Sequence, residues 1–280
     1  SWVHGGEPGR KPTFPRATGY CNAGTVVEVG SRVRDIEPGD RVAGQGNHAA
    51  HAILTGSYQK VPDGVSTQAA AFMVMGAIAL HGVRIARIEL GESVVVIGMG
   101  VVGQLASTLA KLSGGMPVIA ADLDESRLRK GKARGMDVCL NPGGVADLPE
   151  AVRAHCPEDG ANVVIEATGN PEVYPTALKL ACLAGRVVAL GSPRGTVEMD
   201  FLPDVHLREV SILGAHQPKT PDGDHVYYRW AKDRERALVM RLMRDGLLPV
   251  EDLITHVADP SECQEVYTML ADRPCNALGV

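Results

Sequence analysis

Three glycines near the middle of the chain have the spacing of a phosphate-binding turn. Gly98, Gly100 and Gly103 form the pattern G-x-G-x-x-G between the apolar run "VVVI" and a segment with apolar residues at helical spacing. The first glycine permits a tight bend, the second lets a diphosphate approach the backbone, and the third lets helix and strand pack closely. Val101 begins the helix, whose N-terminus would face the anion. The pattern predicts a dinucleotide-binding site.

An acidic residue stands where such a site needs one. Asp122 follows Gly98 by 24 positions, near the roughly 20 expected for the acid that binds the adenosine ribose. A carboxylate there accepts hydrogen bonds from the ribose hydroxyls and repels a 2′-phosphate, so the sequence favours NAD over NADP. A basic run that begins at Arg127 is typical of a solvated helix face, but Arg127 itself is near enough to contact the adenosine. The alternative is a glycine turn that binds nothing.

The elements that would position these residues alternate between strand and helix from Gly91 onward. Because parallel neighbours need crossover helices, this alternation predicts an α/β fold with a Rossmann doubly wound, parallel, six-stranded sheet. Residues 1–72 indicate an irregular β domain, with strands at "TVVEVG" and "HAILTG". We expect late helices around Trp230–Asp245 and from Asp259, which can cap the free amides. The six predicted parallel strands are "SVVVIG", "PVIAAD", "DVCLN", "NVVIEATG", "RVVALG" and "VSILGA".

Composition narrows the class of protein. The 280 residues are 45% hydrophobic but only 4% aromatic, which suits buried parallel strands beneath helices. A net charge of −5 offers no field for nucleic acid or anionic membranes, and no apolar run is long enough to span a bilayer. The cysteines show no C-x-x-C pattern, so we expect a reduced, cytoplasmic protein. They are Cys21, Cys139, Cys156, Cys182, Cys263 and Cys275.

Three blocks carry a family resemblance: "GYCNAGTVVEVGSRVRDIEPGDRV", "GVRIARIELGESVVVIGMGVVG" and "LPVEDLITHVADPSECQEVYTMLADRP", in that order. The chain resembles the medium-chain dehydrogenase/reductase family, which includes zinc alcohol dehydrogenases and quinone reductases. The resemblance implies a GroES-like β-rich catalytic domain over 1–73, a Rossmann NAD-binding domain over 74–217, and a return to the catalytic domain over 218–280. It also implies a segment before Ser1, and "NALGV" suggests a continuation beyond the last residue. Further stretches, including "SWVHGGEP" and "GNHAAHA", are similar to the branch of bacteriochlorophyllide hydroxyethyl dehydrogenases.

The same resemblance bears on zinc. Where zinc-dependent members have Gly-His-Glu, this chain has Gly19, Tyr20 and Cys21, and Met73 aligns with a later ligand. The four-cysteine zinc lobe that often follows "GDRV" is absent. Catalytic zinc needs three ligands from His, Cys, Asp or Glu, so we expect no metal, although Cys21 lies one step out of register and could be recruited.

Without a Lewis acid, a side chain must handle the hydroxyl proton of an alcohol. "GNHAAHAIL" as a strand places His48 and His51 on opposite faces. The resemblance implies that His48 lines the substrate pocket, that His51 takes a packing position, and that His216 lies beside the nicotinamide. Tyr20 is either a hydroxyl donor or a packing residue, and His81 is structural.

The resemblance also implies further cofactor contacts. Val102 would pack behind the nicotinamide ring, and the backbone around Leu190, Ser192 and Ala215 would bind its carboxamide.

Three functions remain open at this point. The first is an NAD-dependent dehydrogenase that interconverts a secondary alcohol and a ketone, and acts as a homodimer paired through "VSILGA". The second is a zinc-free enone or quinone reductase, against which Asp122 argues because those enzymes mostly use NADPH. The third is a nucleotide-binding relative without activity.

Overall fold

The protein is described by a computed structural model that covers residues 18–54, 56, 58–272 and 277–280. It forms two compact units: the described residues up to Ala77 together with those from Pro218 onward, and Ile78–Gln217. The stretch "SWVHGGEP" and Cys275 lie outside the described residues. None of the helices in the described part of the chain is both long enough and apolar enough to cross a membrane.

The first unit contains a small antiparallel sheet in the order β1-β2-β3. Its strands are β1 (Asn22–Thr25), β2 (Arg41–Gly44) and β3 (Tyr58–Lys60). Two helices follow β3: α1 (Thr67–Ala70), and α2 (Met73–Ala86), whose residues from Ile78 onward belong to the second unit.

The second unit is a parallel six-stranded sheet in the order β6-β5-β4-β7-β8-β9. Two of the inner strands, β4 and β5, are buried at every position, as expected for strands covered on both faces. This confirms the predicted Rossmann sheet. Its strands are β4 (Val94–Ile97), β5 (Val118–Ala121), β6 (Val138–Leu140), β7 (Ala161–Glu166), β8 (Ala181–Ala189) and β9 (Ser211–Gly214). Its helices are α3 (Val101–Leu112), α4 (Glu125–Ala133), α5 (Leu148–Arg153) and α6 (Tyr174–Leu180).

Two late helices belong to the first unit: α7 (Lys232–Arg244) and α8 (Cys263–Asp272). A 3₁₀ turn, Pro260–Glu262, precedes α8, and the Asp259 side chain accepts a hydrogen bond from the Ser261 amide at 2.9 Å. The predicted cap is therefore confirmed.

Two strand predictions in the first unit are wrong. In "TVVEVG" only Thr25 belongs to a strand, because β1 begins at Asn22 and already ends at Thr25. "HAILTG" is not a strand: its described residues follow bends and irregular backbone, and β3 begins only at Tyr58. Both segments are short and flanked by glycine, so their apolar residues carried little information about backbone conformation.

Candidate functional site

The glycine turn after β4 has the geometry of a phosphate cradle. Gly98 has φ +91°, and a side chain there would begin 2.7 Å from Cγ2 of Thr168. A Cβ on Gly103 would lie 1.7 Å from the Gly98 carbonyl oxygen, so this position admits only glycine. A Cβ on Gly100, by contrast, would meet nothing within 4 Å. The first and third glycines therefore close the turn, and the second leaves open space.

That open space lies at the N-terminus of α3. Gly100 is the residue before the first helical turn and has no side chain with which to cap it. The first amides of a helix have no partners within the helix and attract anions. Val101 and Val102, in the first turn, are half-buried. The residues present therefore fit the diphosphate of a dinucleotide.

Asp122 lies directly after β5, beside this turn. Its Oδ2 accepts a hydrogen bond from the Met99 amide at 2.6 Å, and its Oδ1 accepts one from the Asp124 amide at 2.8 Å. The side chain is 10% exposed, and Nη1 of Arg127 lies 4.0 Å from Oδ2. Because each carboxylate oxygen can accept a further hydrogen bond, the fixed carboxylate can still accept from two hydroxyls.

A buried acid, which the sequence analysis did not single out, connects the neighbouring loops. Glu166 ends β7 and is fully buried, and its carboxylate accepts hydrogen bonds from the amides of Thr168 at 2.6 Å and Gly169 at 3.1 Å. Its carbonyl oxygen accepts from the amides of Leu190 and Gly191. Glu166 therefore fixes the loops after β7 and β8 at the carboxyl edge of the sheet, where open α/β sheets bind ligands. The sequence signal that could have identified Glu166 is an acidic residue directly after the apolar run "VVI".

The remaining predicted cofactor residues lie at the same edge of the sheet. The Leu190 side chain is 6% exposed and packs against Gly82, which leaves its backbone as the group that could bind a ligand. Ser192 is exposed, and the Ala215 amide donates to the Ala189 carbonyl at 3.1 Å. Their contacts with a cofactor stay predictions.

The first unit contains a cavity of about 480 Å³. Its polar lining residues are Tyr20, Gln45, Asn47 and His51, with Ile53 and small residues completing the wall. The Tyr20 hydroxyl donates a hydrogen bond to Sδ of Met75 at 3.2 Å. The cavity thus brings together a phenol, an imidazole and two amides, groups that can bind hydroxyl and carbonyl oxygens.

The structure corrects the interpretation of "GNHAAHAIL". The segment is not a strand, since β2 ends at Gly44 and bends follow, so the argument that placed His48 and His51 on opposite faces is wrong. His51 lines the cavity. The exposed His48 ring packs against Gly19, where an added Cβ would lie 2.0 Å from its Cδ2. His216 is exposed and follows β9 in the second unit.

Burial is the largest influence on the pKa values of Tyr20, which stands at a zinc-ligand position, and of the adjacent Cys21. It raises the pKa of the Cys21 thiol to about 11, although a hydrogen bond to the Met75 backbone and the charge of Arg236 act in the opposite direction. Burial, and to a lesser extent Cys21, raises the pKa of Tyr20. Both groups are therefore protonated at neutral pH.

The described residues do not fit a catalytic zinc ion. No three His, Cys, Asp or Glu side chains in this part of the chain lie close enough together to hold a metal. Met73, aligned with a later ligand, is fully buried at the start of α2. The absence of catalytic zinc stays a prediction.

Comparisons with known proteins agree with this architecture. The family model described as "Zinc-binding dehydrogenase" matches residues 101–231. D-guloside 3-dehydrogenase of Escherichia coli (strain K12) is 30% identical over 260 residues, which are 91% of this chain and 73% of that protein.

Solved structures show the same fold. An oxidoreductase/dehydrogenase of unknown specificity from Escherichia coli superimposes with a TM-score of 0.81 at 21% identity, covering 97% of this chain and 84% of that one. A Sinorhizobium meliloti 1021 protein bound to NADP superimposes with a TM-score of 0.75 at 25% identity, covering 91% and 80%.

The ordered blocks, the parallel sheet, the glycine turn and the extended similarity to a dehydrogenase are mutually consistent. The predicted resemblance is therefore confirmed at the level of the superfamily, whereas the narrower resemblance to the bacteriochlorophyllide branch stays a prediction. The chain belongs to the zinc-type alcohol dehydrogenase-like superfamily of medium-chain dehydrogenases/reductases.

Proposed function

We propose that this oxidoreductase transfers a hydride between NAD and a secondary alcohol or ketone. The observation that carries the proposal is the carboxylate of Asp122, which two backbone amides fix beside the glycine turn. An acid in this position binds the ribose hydroxyls of NAD and repels the 2′-phosphate of NADP. Gly98, Gly100 and Gly103 would then hold the diphosphate against the N-terminus of α3.

NADP is the competing cofactor, and one contact favours it. Arg127 approaches Asp122 to 4.0 Å, and an arginine in this region can pair with a 2′-phosphate. The relative from Sinorhizobium meliloti 1021 binds NADP. We favour NAD because the Asp122 carboxylate lies next to the turn itself. Arg127 lies 4.0 Å from this carboxylate, which is the longest distance at which an ion pair is counted.

The proton of the alcohol would pass to groups of the chain. Tyr20 can donate or accept at its hydroxyl, and the imidazoles of His48 and His216 are groups suited to general base catalysis. His51 joins these candidates because it lines the same cavity as Tyr20. Substituting His48, His51 and His216 separately with glutamine separates them: the base is the one whose loss lowers kcat about a hundredfold or more at saturating NAD.

We infer that no zinc takes part in this chemistry. Tyr20 and Met73, neither of them a good zinc ligand, occupy two of the expected ligand positions. We expect purified protein to carry no tightly bound zinc and to keep its activity after dialysis against a chelator. One zinc per chain, lost together with activity, would contradict the inference.

A sugar or polyol is the substrate class that the relatives favour. The relative with 30% identity is a dehydrogenase of D-guloside, a molecule rich in secondary hydroxyls. The described residues that line the cavity include polar side chains but no Asp, Glu, Lys or Arg, which suits such a molecule. We further propose a homodimer paired through β9, because this edge strand exposes Ile212 and has β8 as its one described neighbour.

A direct assay tests the proposed function. Protein is incubated with NAD and a panel of polyols and simple secondary alcohols, and separately with NADH or NADPH and enones, while nicotinamide absorbance is followed. We expect reduction of NAD by one or more alcohols and little turnover of enones. Turnover of enones alone with NADPH would replace the proposal with a reductase, and no turnover with any pair would favour a relative without activity.

A further inference from the structure

One polar residue that lines the cavity in the first unit, Gln45, accepts a hydrogen bond from a buried arginine. Arg236, on α7, is 2% exposed, yet its Nη2 donates a hydrogen bond to Oε1 of Gln45 at 3.0 Å. Gln45 directly follows β2, is exposed, and lines the cavity. A guanidinium buried in a protein is costly unless acceptors satisfy it, and the side-chain oxygen of the exposed Gln45 is one of these acceptors.

This contact fixes the orientation of the Gln45 amide. A guanidinium has only donors, so the amide oxygen must face Arg236 and the amide nitrogen must face away from it. The neighbouring backbone is held as well, since Nδ2 of Asn22 donates to the carbonyl of Asn47 at 2.7 Å. Gln45 therefore offers Nε2 as a hydrogen-bond donor on a segment with a fixed backbone.

The charges around Arg236 explain why it stays a cation. Burial lowers the pKa of its guanidinium, while the carboxyl groups of Asp233, Asp222 and Glu235 act in the opposite direction. The described residues that line the cavity, in contrast, include no Asp, Glu, Lys or Arg. A ligand with a carboxylate or phosphate would find no lysine or arginine among them, whereas hydroxyl oxygens can accept from the side-chain amides of Gln45 and Asn47.

We propose that Gln45 is a specificity-determining residue, which donates a hydrogen bond from Nε2 to a hydroxyl oxygen of an uncharged polyhydroxylated substrate, and that Arg236 is the positioning residue that holds it. The proposal rests on the proposed function, because it assigns this cavity to the alcohol substrate. It goes further by choosing neutral polyols over sugar acids and sugar phosphates. It also gives a role to a buried arginine outside the cofactor cradle.

The first test measures binding without turnover. Galactitol and galactonate are titrated against the intact protein by calorimetry, and we expect galactitol to bind more tightly. Gln45→Met keeps the length of the side chain but removes its donor, and should weaken galactitol binding about five- to tenfold. Gln59→Met is the matched control, since Gln59 contacts the carbonyl of Asp233 but does not appear in the cavity wall. It should bind galactitol as the unmutated protein does.

The second test separates positioning from general damage. With NAD saturating, Gln45→Met and Arg236→Lys should raise KM for butane-2,3-diol relative to butan-2-ol and leave kcat nearly unchanged, because a structural defect would affect both alcohols equally. Unmutated protein that fails to bind galactitol, or Gln45→Met that binds it normally, would overturn the proposal. Unmutated protein that binds galactitol but reduces no NAD would contradict the proposed function while supporting the binding site. If Arg236→Lys does not fold, the Gln45→Met results decide.

Discussion

Replacing Asp122 with asparagine is the sharpest perturbation of the proposed cofactor site. The carboxylate now accepts hydrogen bonds from the amides of Met99 and Asp124, one at each oxygen. Asparagine has a single acceptor oxygen, so its NH₂ group must face one of these two donors. The substitution therefore removes both the negative charge and one backbone contact, with almost no change of volume.

The expected magnitudes follow from these contacts. A buried donor left without an acceptor costs about 1–3 kcal/mol, so the variant should unfold more easily but still fold. A hydrogen bond to a charged group contributes about 1.5–3 kcal/mol, which is roughly a 10- to 150-fold change in affinity for NAD. Repulsion of the 2′-phosphate disappears at the same time, and Arg127, which lies 4.0 Å from Asp122 in the unmutated protein, can attract this phosphate. The preference for NAD over NADP should therefore fall by more than about tenfold.

Initial rates with each cofactor measure this preference as a ratio of kcat/KM values. Asp124→Asn is the control, because Asp124 caps α4 by accepting from the amides of Ser126 and Arg127, and asparagine caps helices equally well. The control should keep the cofactor ratio of the unmutated enzyme. If Asp122→Asn keeps the ratio as well, Asp122 does not bind the ribose and the reasoning fails.

Further predictions concern the cradle, the oligomer and the buried thiol. Gly103→Ala should destabilise the fold by about 2 kcal/mol or more, because its Cβ would lie 1.7 Å from the Gly98 carbonyl oxygen. Gly100→Ala should keep the melting temperature of the unmutated protein but weaken NADH binding. Equal melting temperatures for the two variants would contradict this difference. Ile212→Lys should convert the proposed dimer into monomers in sedimentation experiments, and an unchanged mass would remove β9 from the interface. Cys21 should alkylate far more slowly than free cysteine at pH 8 and accelerate as the pH rises towards about 11, since the thiolate reacts and burial keeps the thiol protonated; rapid reaction at pH 8 would refute the raised pKa.

The sheet was predictable because its signals are local and repeated. Each of the six strands is an apolar run bounded by turn residues, and the glycine pattern and Asp122 have fixed positions relative to two of them. Burial on both faces leaves such a run few alternatives to a parallel strand. Strand length was less predictable: the predicted strand "RVVALG" covers only the second half of β8, which begins at Ala181, directly after α6 ends at Leu180.

The first unit was harder, because distant residues determine its conformation. His48 and His51 were assigned by strand alternation, yet Gly44 and Gly46 precede a bent segment and remove the basis for counting faces. The link between Gln45 and Arg236 joins residues 191 positions apart and has no signature in either local pattern. Contacts of this kind depend on the packing of α7 and were accessible only from the structure.

The most direct test of the account is a calorimetric titration of the intact protein with NADH and with NADPH. Three features form the proposed site: the open space at Gly100, the N-terminus of α3 and the fixed Asp122 carboxylate. They predict that NADH binds, and that it binds at least about tenfold more tightly than NADPH. Tighter binding of NADPH would reverse the cofactor assignment. Binding of neither nucleotide would contradict the central claim that this turn holds a dinucleotide.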